Sequence, residues 1–295
     1  MAQARFLPAL IAGALSLGLV SGPALGQATR IGIASAVSGD VRMSNAKVTK
    51  PAKVAPKQRM AWGDRVSTAK KSQLQILLLD RSNFTIGAKT TLTIDRFVYD
   101  PAKSRSVGAS VAKGAFRFMS GRRTPKADAE VKTRAGTIGI RGTMLDGVVG
   151  KSAVEIAKDE PSIGKVKSDE ETATLVVLRG PGPAHEGSLT TGSATVTGAG
   201  KIVELTAPLM AAYIPREGAE PIGPFPLSPA GLSRLQDLLA PSVARARKKG
   251  KGWLPIAGAV AAIGAGVLVG TSGGDNGATA DTGGQGCQPQ PGAIC

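Results

Sequence analysis

The chain has 295 residues, 37 Lys and Arg against 21 Asp and Glu, one His, two Cys and a formal net charge of +16. A single His excludes a multi-His metal site. Both cysteines, Cys287 and Cys295, stand in the last nine positions, which excludes a zinc cluster inside a folded core. With 42% apolar residues the chain can build a core, and its length allows one or two domains at roughly 100–200 residues each.

Residues 1–28 read as an export signal. Arg5 supplies the positive start, Phe6–Val20 is apolar or small without charge, and Ser21, Gly22 and Pro23 lead into small residues. Ala24 and Gly26 fit a cut before Gln27; Gly26 and Ala28 fit one before Thr29. The run is shorter than the roughly 20 residues of a membrane span, and Gly13, Gly18 and Pro23 make poor helix interior. No Cys near the cut is available for a lipid anchor.

Charge is uneven. Residues 29–151 hold 24 basic against 8 acidic side chains, residues 152–240 hold 7 against 11, and residues 241–252 hold five basic side chains and no acid. Such asymmetry speaks of partners rather than fold. Export argues against nucleic acid. It leaves anionic lipid head groups, polyanionic glycans, an acidic protein face, or a solvated basic surface without a dedicated partner.

Between Ile31 and Pro215 short β-rich runs are cut by Gly, Pro, Asn and Asp. Leu74, Ile76 and Leu78 alternate with Gln73, Gln75, Leu77 and Leu79, which predicts a strand that starts half polar and ends apolar on both faces as it enters a core. Phe84 and Ile86 resume the alternation up to Gly87. Leu92, Ile94 and Val98, then 111–119, 138–140, 175–178, 193–197 and 202–206, continue it. The expected class is all-β, a sandwich, barrel or solenoid; no motif recurs at a fixed period. Arg42–Gln58, rich in Lys and Pro, and the acidic 159–171 are expected as surface loops, the second packing near the basic region. Asp80, Asp95 and Asp100 read as turn and strand-end residues rather than calcium ligands.

Beyond a β extension over 152–215, residues 216–252 are expected to hold a linker, a short helix and a basic cluster. Ser228 caps and Pro229 starts a helix to Ala240, with Leu232, Leu235, Leu238 and Leu239 on one face packing against the β domain. Lys248, Lys249, Lys251 and Trp253 offer membrane attachment. Residues 253–271 are uncharged and rich in Ala, Gly and Val. A span there would put the basic cluster outside, against the positive-inside preference, so a span, interfacial attachment and an apolar tail all stay open. Residues 272–295 are Gly-rich, and Cys287 and Cys295 would pair as a disulfide in an oxidising compartment.

Catalytic signatures are scarce. His185 lies in a Gly/Pro-rich loop beside Glu186, and no serine elbow or phosphate loop is present. Carboxylate pairs carry no local signature, which leaves glycan hydrolysis as the enzymatic alternative.

Five motifs in order resemble the FecR domain over Ile31–Asp146: Gly39-Asp40-Val41; Gly63-Asp64-Arg65-Val66-Ser67-Thr68; Leu77 to Ser82, with Arg81 where the family has Gly; Gly114 to Phe118 with Arg117; and Thr133 to Thr143 with Gly139, Ile140, Arg141, Gly142 and Thr143. The resemblance implies an all-β module of solenoid- or sandwich-like character. Classical members are inner-membrane regulators with a cytoplasmic anti-sigma segment, a span and a periplasmic signalling region. This chain opens on an export signal instead, so the sigma-factor contact is not carried over. At Arg141, flanked by glycines, the five-donor fork is expected to tie carbonyls or Asp146 across adjacent turns, with a ligand or partner contact as the alternative. The sequence therefore points to an exported, non-enzymatic FecR-like module of a Gram-negative-type envelope. It implies no cofactor, nucleic acid or small-molecule substrate, and as partner an envelope protein or an anionic envelope polymer.

Overall fold

Short alternating runs bury one face each and need a second layer to cover it. The computed structural model describes residues 30–122, 124–181 and 192–240; the export signal, His185, the basic cluster with Lys248, Lys249, Lys251 and Trp253, the apolar segment and the Cys287–Cys295 end lie outside them. Seventeen strands among the described residues form one hydrogen-bonded network. It folds over at a single strand into two facing sheets.

The chain path explains the two layers. β1 (Arg30–Ser38) lies in sheet I, β2 (Val41–Ser44) and β3 (Ala52–Lys53) in sheet II, β4 (Arg59–Ala61) in sheet I and β5 (Arg65–Thr68) in sheet II. A hairpin of β6 (Gln73–Leu78) and β7 (Asn83–Ile86) returns to sheet I, and β8 (Thr91–Asp100) to sheet II. β9 (Ser104–Met119) begins in sheet II beside β8 and ends in sheet I beside β7. β10 (Lys126–Lys132) and β11 (Thr137–Arg141) extend sheet II, and β12 (Thr143–Val149) sheet I. Helix α1 (Lys151–Ala157) and β13 (Thr174–Pro181) follow. β14 (Ser193–Gly198) and β15 (Lys201–Leu205) complete sheet II, β16 (Met210–Ile214) and β17 (Ile222–Pro226) sheet I, and helix α2 (Pro229–Leu239) comes last. Sheet I runs β4-β1-β6-β7-β9-β12-β13-β16-β17 and sheet II β3-β2-β5-β8-β9-β10-β11-β14-β15. Pairing is antiparallel except β9 with β10. The repeated crossing gives the path its solenoid character and the facing sheets make it a sandwich.

The main core lies between the sheets. Leu74, Ile76, Phe84, Phe116, Phe118 and Leu145 of sheet I meet Val66, Leu92, Ile94, Val111, Val131 and Ile138 of sheet II. The Phe84 and Phe118 rings stand 4.8 Å apart at 49°, a tilted pair worth roughly 0.5–1.5 kcal/mol beyond its area. A second core covers the other face of sheet I, where Val148, Leu175, Val177 and Tyr213 pack under Val154 and Ile156 of α1 and Leu235 and Leu239 of α2. The Ser228 hydroxyl caps α2 by accepting from Gly231 N–H at 3.0 Å, and Gln73 Nε2 donates to Leu239 O at 2.8 Å at its far end.

Four expectations change. Leu77 and Leu79 stay 37% and 50% exposed, because α2 crosses sheet I at the Gln73 end and leaves the other end of β6 uncovered. The stretch expected as one loop from Arg42 contributes β2 and β3. α1 arises where only β extension was expected; its seven residues lack a side-chain N-cap, so it left no start signal. β17 lies inside the expected linker. The acidic loop does reach the basic region: Arg134 pairs with Glu171 at 3.6 Å and Lys151 with Glu170 at 3.8 Å.

Two backbone positions separate strain from accommodation. At Gly114, where β9 bends from one sheet into the other, φ is +93°, and a Cβ would strike both the backbone and the side chain of Thr90. Arg81 keeps the left-handed turn with φ +66° despite standing where the family has Gly; its exposed side chain tolerates a conformation that costs an L-residue roughly 1–2 kcal/mol. Gly114→Ala is therefore expected to destabilise by about 2–4 kcal/mol. Arg81→Gly should be neutral to slightly stabilising, within about 1 kcal/mol, because relief of strain exceeds the added chain entropy. Urea denaturation of both variants checks the pair.

Candidate functional site: buried arginine pairs and a hydroxyl face

The motif residues divide by burial. Asp64, 1% exposed, organises the corner after Gly63: its carboxylate accepts from Asn45 Nδ2 and from Ala61 N–H, both at 2.8 Å. Gly39, Gly63 and Gly142, at φ +76°, +80° and +60°, stand at crossings between the sheets. Gly139 pairs with Thr195, whose hydroxyl occupies the place of a Cβ. Buried Thr143 donates twice, its hydroxyl to Gly180 O at 2.5 Å and its N–H to the Ser120 hydroxyl at 3.2 Å.

Two carboxylates are fully buried against arginine. Asp80 accepts from Ser82 N–H at 2.9 Å and from the Ser82 hydroxyl at 2.5 Å, and lies 3.5 Å from Arg105 Nε. Arg105 also donates to Arg122 O at 3.3 Å. Burial lowers the Arg105 pKa more than Asp80 raises it. Asp80 is thus more than a turn residue, and Arg105 carried no local signal: its partner is 25 residues away in sequence, in the turn between β6 and β7.

Asp146 is held on the outer face of sheet I. Arg117 grips it from β9 in a two-pronged pair, Nε to Oδ1 at 2.6 Å and a terminal nitrogen to Oδ2 at 2.7 Å. Arg179 of β13 approaches Oδ2 from the other side at 3.4 Å. Antiparallel register places Asp146 opposite Arg117 directly, and a bulge between Met144 and Leu145 turns Arg179 toward the same carboxylate. Burial acts most strongly on the Arg117 guanidinium and would lower its pKa, but hydrogen bonding and charge from Asp146 together raise it. Arg179 shifts down, through burial first, with Arg117 adding to the shift and Asp146 opposing it. The structure therefore gives Arg117 and Arg179 the role expected of Arg141. Arg141 is exposed on β11, and among the described residues its guanidinium has no ion-pair or hydrogen-bond partner.

Sheet II turns a different surface outward. Register aligns Arg42, Ser67, Thr91 and Lys113 across β2, β5, β8 and β9. The neighbouring row aligns Ser44, Arg65, Thr93, Ser110 and Lys132 across β2, β5, β8, β9 and β10. Each row places two hydroxyls between two cations. An open groove of about 280 Å³ follows these rows, with Arg65, Thr93, Ser110, Lys132 and Arg134 among its walls. At the rim, Trp62 is 44% exposed, and its indole N–H donates to the Asp95 carbonyl of β8. The Asp95 carboxylate accepts from the Ser110 hydroxyl at 2.5 Å, and Asp100 accepts from Ala102 N–H at 2.9 Å. Both act within the sheet, and no group of three metal-ligating side chains occurs among the described residues. Trp62 and the rows were not legible as a site, because single strands do not reveal which neighbours they will face.

Asp146→Asn would leave two largely buried guanidiniums without a counter-charge, and is expected to destabilise by about 3–5 kcal/mol. Arg141→Lys, at an exposed position, should change stability by less than about 0.5 kcal/mol. Thermal and urea unfolding of the two variants test the assignment; a large loss at Arg141 with none at Asp146 would reverse it.

Comparison with known proteins fits this geometry. The FecR protein family model matches residues 64–180, from the corner carboxylate Asp64 to β13, so that Arg117, Asp146 and Arg179 all fall inside the match. No curated protein matches. Two crystal structures of a candidate anti-sigma factor from Parabacteroides distasonis are similar at 15% identity and a TM-score of 0.33; the match covers 53% of this chain and 57% of theirs. The chain thus spans just over half the length of those structures. The family match runs on past Asp146 into the stretch expected as a separate extension. With Asp64 buried at a sheet crossing and the Arg117–Asp146–Arg179 cluster inside the matched segment, the chain is a FecR domain-containing protein.

Proposed function

We propose that this chain is an exported, non-enzymatic envelope module that senses or scaffolds by binding a partner on a rigid two-sheet platform. The FecR domain marks a signalling or sensing module, and its relatives are regulatory rather than catalytic. One observation carries the reading. The buried motif carboxylates Asp64, Asp80 and Asp146 are each 1% exposed or less and are spent on holding corners and strands together. What the domain offers to a partner is its outer sheet surface.

Residues 1–28 would deliver the module across the inner membrane. Lys248, Lys249, Lys251 and Trp253 would then hold it at an anionic membrane surface. Among the described residues no helix is long and apolar enough to cross a membrane. Envelope association is typical of the family; the periplasmic address belongs to the proposal.

Crosslinking in intact cells, followed by fractionation and identification of what is captured, tests this. The expected outcome is recovery in the envelope fraction with a specific partner that survives high-salt washing. Recovery in the cytoplasmic fraction would overturn the export reading, and reproducible absence of any envelope partner would overturn the interaction reading.

A further inference from the structure

We infer that the outer face of sheet II is a binding surface for a carboxylate-bearing glycan, the peptidoglycan strand of the cell wall. The inference rests on the reading of the chain as an exported envelope module.

Three features converge on this chemistry. First, the two register rows set Ser67, Thr93 and Ser110 on one face, with Thr91 largely buried between its neighbours. Neighbouring strands lie about 4.8 Å apart, so Ser67 and Thr93 present hydroxyls at a spacing suited to sugar hydroxyls and amides, while the Ser110 hydroxyl donates to Asp95, the one carboxylate inside the rows. Second, the β3-β2-β5 end of the face is basic: Lys53 stands beside Arg42, with Arg65 on the next strand. Asp40 is the acid paired there, 3.3 Å from Arg42, with both side chains about half exposed. Such pairs are worth about 0–1 kcal/mol and open readily to a ligand carboxylate. Arg65 and Lys113 have no acidic partner among the described residues. Third, Trp62 presents an exposed ring at the rim, fixed by its indole hydrogen bond to β8. An immobilised aromatic surface beside hydroxyls takes the apolar face of a sugar at little entropic cost.

The opposite end of the groove is balanced rather than basic. Lys132 pairs with Glu130 at 3.2 Å, and Arg134 lies 3.6 Å from Glu171 and 3.9 Å from Glu217. A uniformly anionic membrane surface would meet these acids. A strand carrying discrete carboxylates among neutral sugars would place its charge at the Arg42–Lys53–Arg65 end and its sugars along the hydroxyl rows.

Co-sedimentation of the full-length chain with purified peptidoglycan sacculi tests the surface, with anionic lipid vesicles and a neutral polysaccharide as parallel probes. The wild type should sediment with sacculi at low salt and weaken as salt rises. Lys53→Ser with Arg65→Ser should weaken binding at least tenfold, and Thr93→Val, which keeps the strand and removes a hydroxyl, several-fold. The charge-matched Lys103→Ser with Lys126→Ser, at the far end of sheet II, should change it less than twofold. Circular dichroism confirms that each variant is folded. Absence of binding to sacculi, equal loss in the charge-matched variant, or binding to vesicles alone would overturn the inference. If sacculi fail while crosslinking captures an envelope protein, the glycan surface is wrong and the interaction module stands. If both fail, the module itself is wrong.

Discussion

Strand β9 belongs to two sheets at once, and most of the structure follows from that sharing. Its first part pairs with β8 and β10 in sheet II, its last part with β7 and β12 in sheet I, and the bend between them is at Gly114. A strand that crosses between layers fixes their separation and angle, so the side chains of the inner faces can meet in only one register. Val107, Ala109 and Val111 from one half and Phe116 and Phe118 from the other enter the same core. Both buried ion pairs also draw on β9, through Arg105 and Arg117. Its outward side chains Ser110 and Lys113 belong to the exposed rows. One strand thus links core, electrostatics and surface.

The large positive charge takes on a different meaning in this frame. Some of it is internal. Arg105 is essentially buried, and Arg117 and Arg179 share one buried carboxylate, an arrangement that costs desolvation and holds only with good geometry. The two-pronged contact from Arg117 supplies that geometry and ties β9 to β12. The rest of the charge stays on the surface, where single pairs contribute little to stability but shape the field a partner meets. A platform whose polar interior is consumed by its own corners is suited to binding through its faces, in keeping with a regulatory family.

The class of the fold was legible because alternation is local. Leu74, Ile76 and Leu78 announce a buried face, and Ser228 with Pro229 announces a helix start; both hold in the structure. Gly114 and Gly139 were visible as motif letters, but their purpose was not, because the Thr90 and Thr195 side chains they accommodate come from distant parts of the chain. The same limit misdirected Arg141. Proximity in sequence to Asp146 suggested a partnership, whereas antiparallel register brings Arg117 from 29 residues away. Arg105, Arg179 and Trp62 acquire their roles only through cross-strand neighbours. Leu77 and Leu79 show the converse, since their apolar pattern promised a burial that α2 does not reach.

The central claim is that β9 makes the two sheets one cooperative unit. Native-state hydrogen exchange tests it most directly, read at amides 107–111 in sheet II and 115–119 in sheet I. The account predicts that both groups exchange only through global unfolding, with a common opening free energy equal to that from urea denaturation. Exchange of one half through a lower-energy opening while the other stays protected would contradict it.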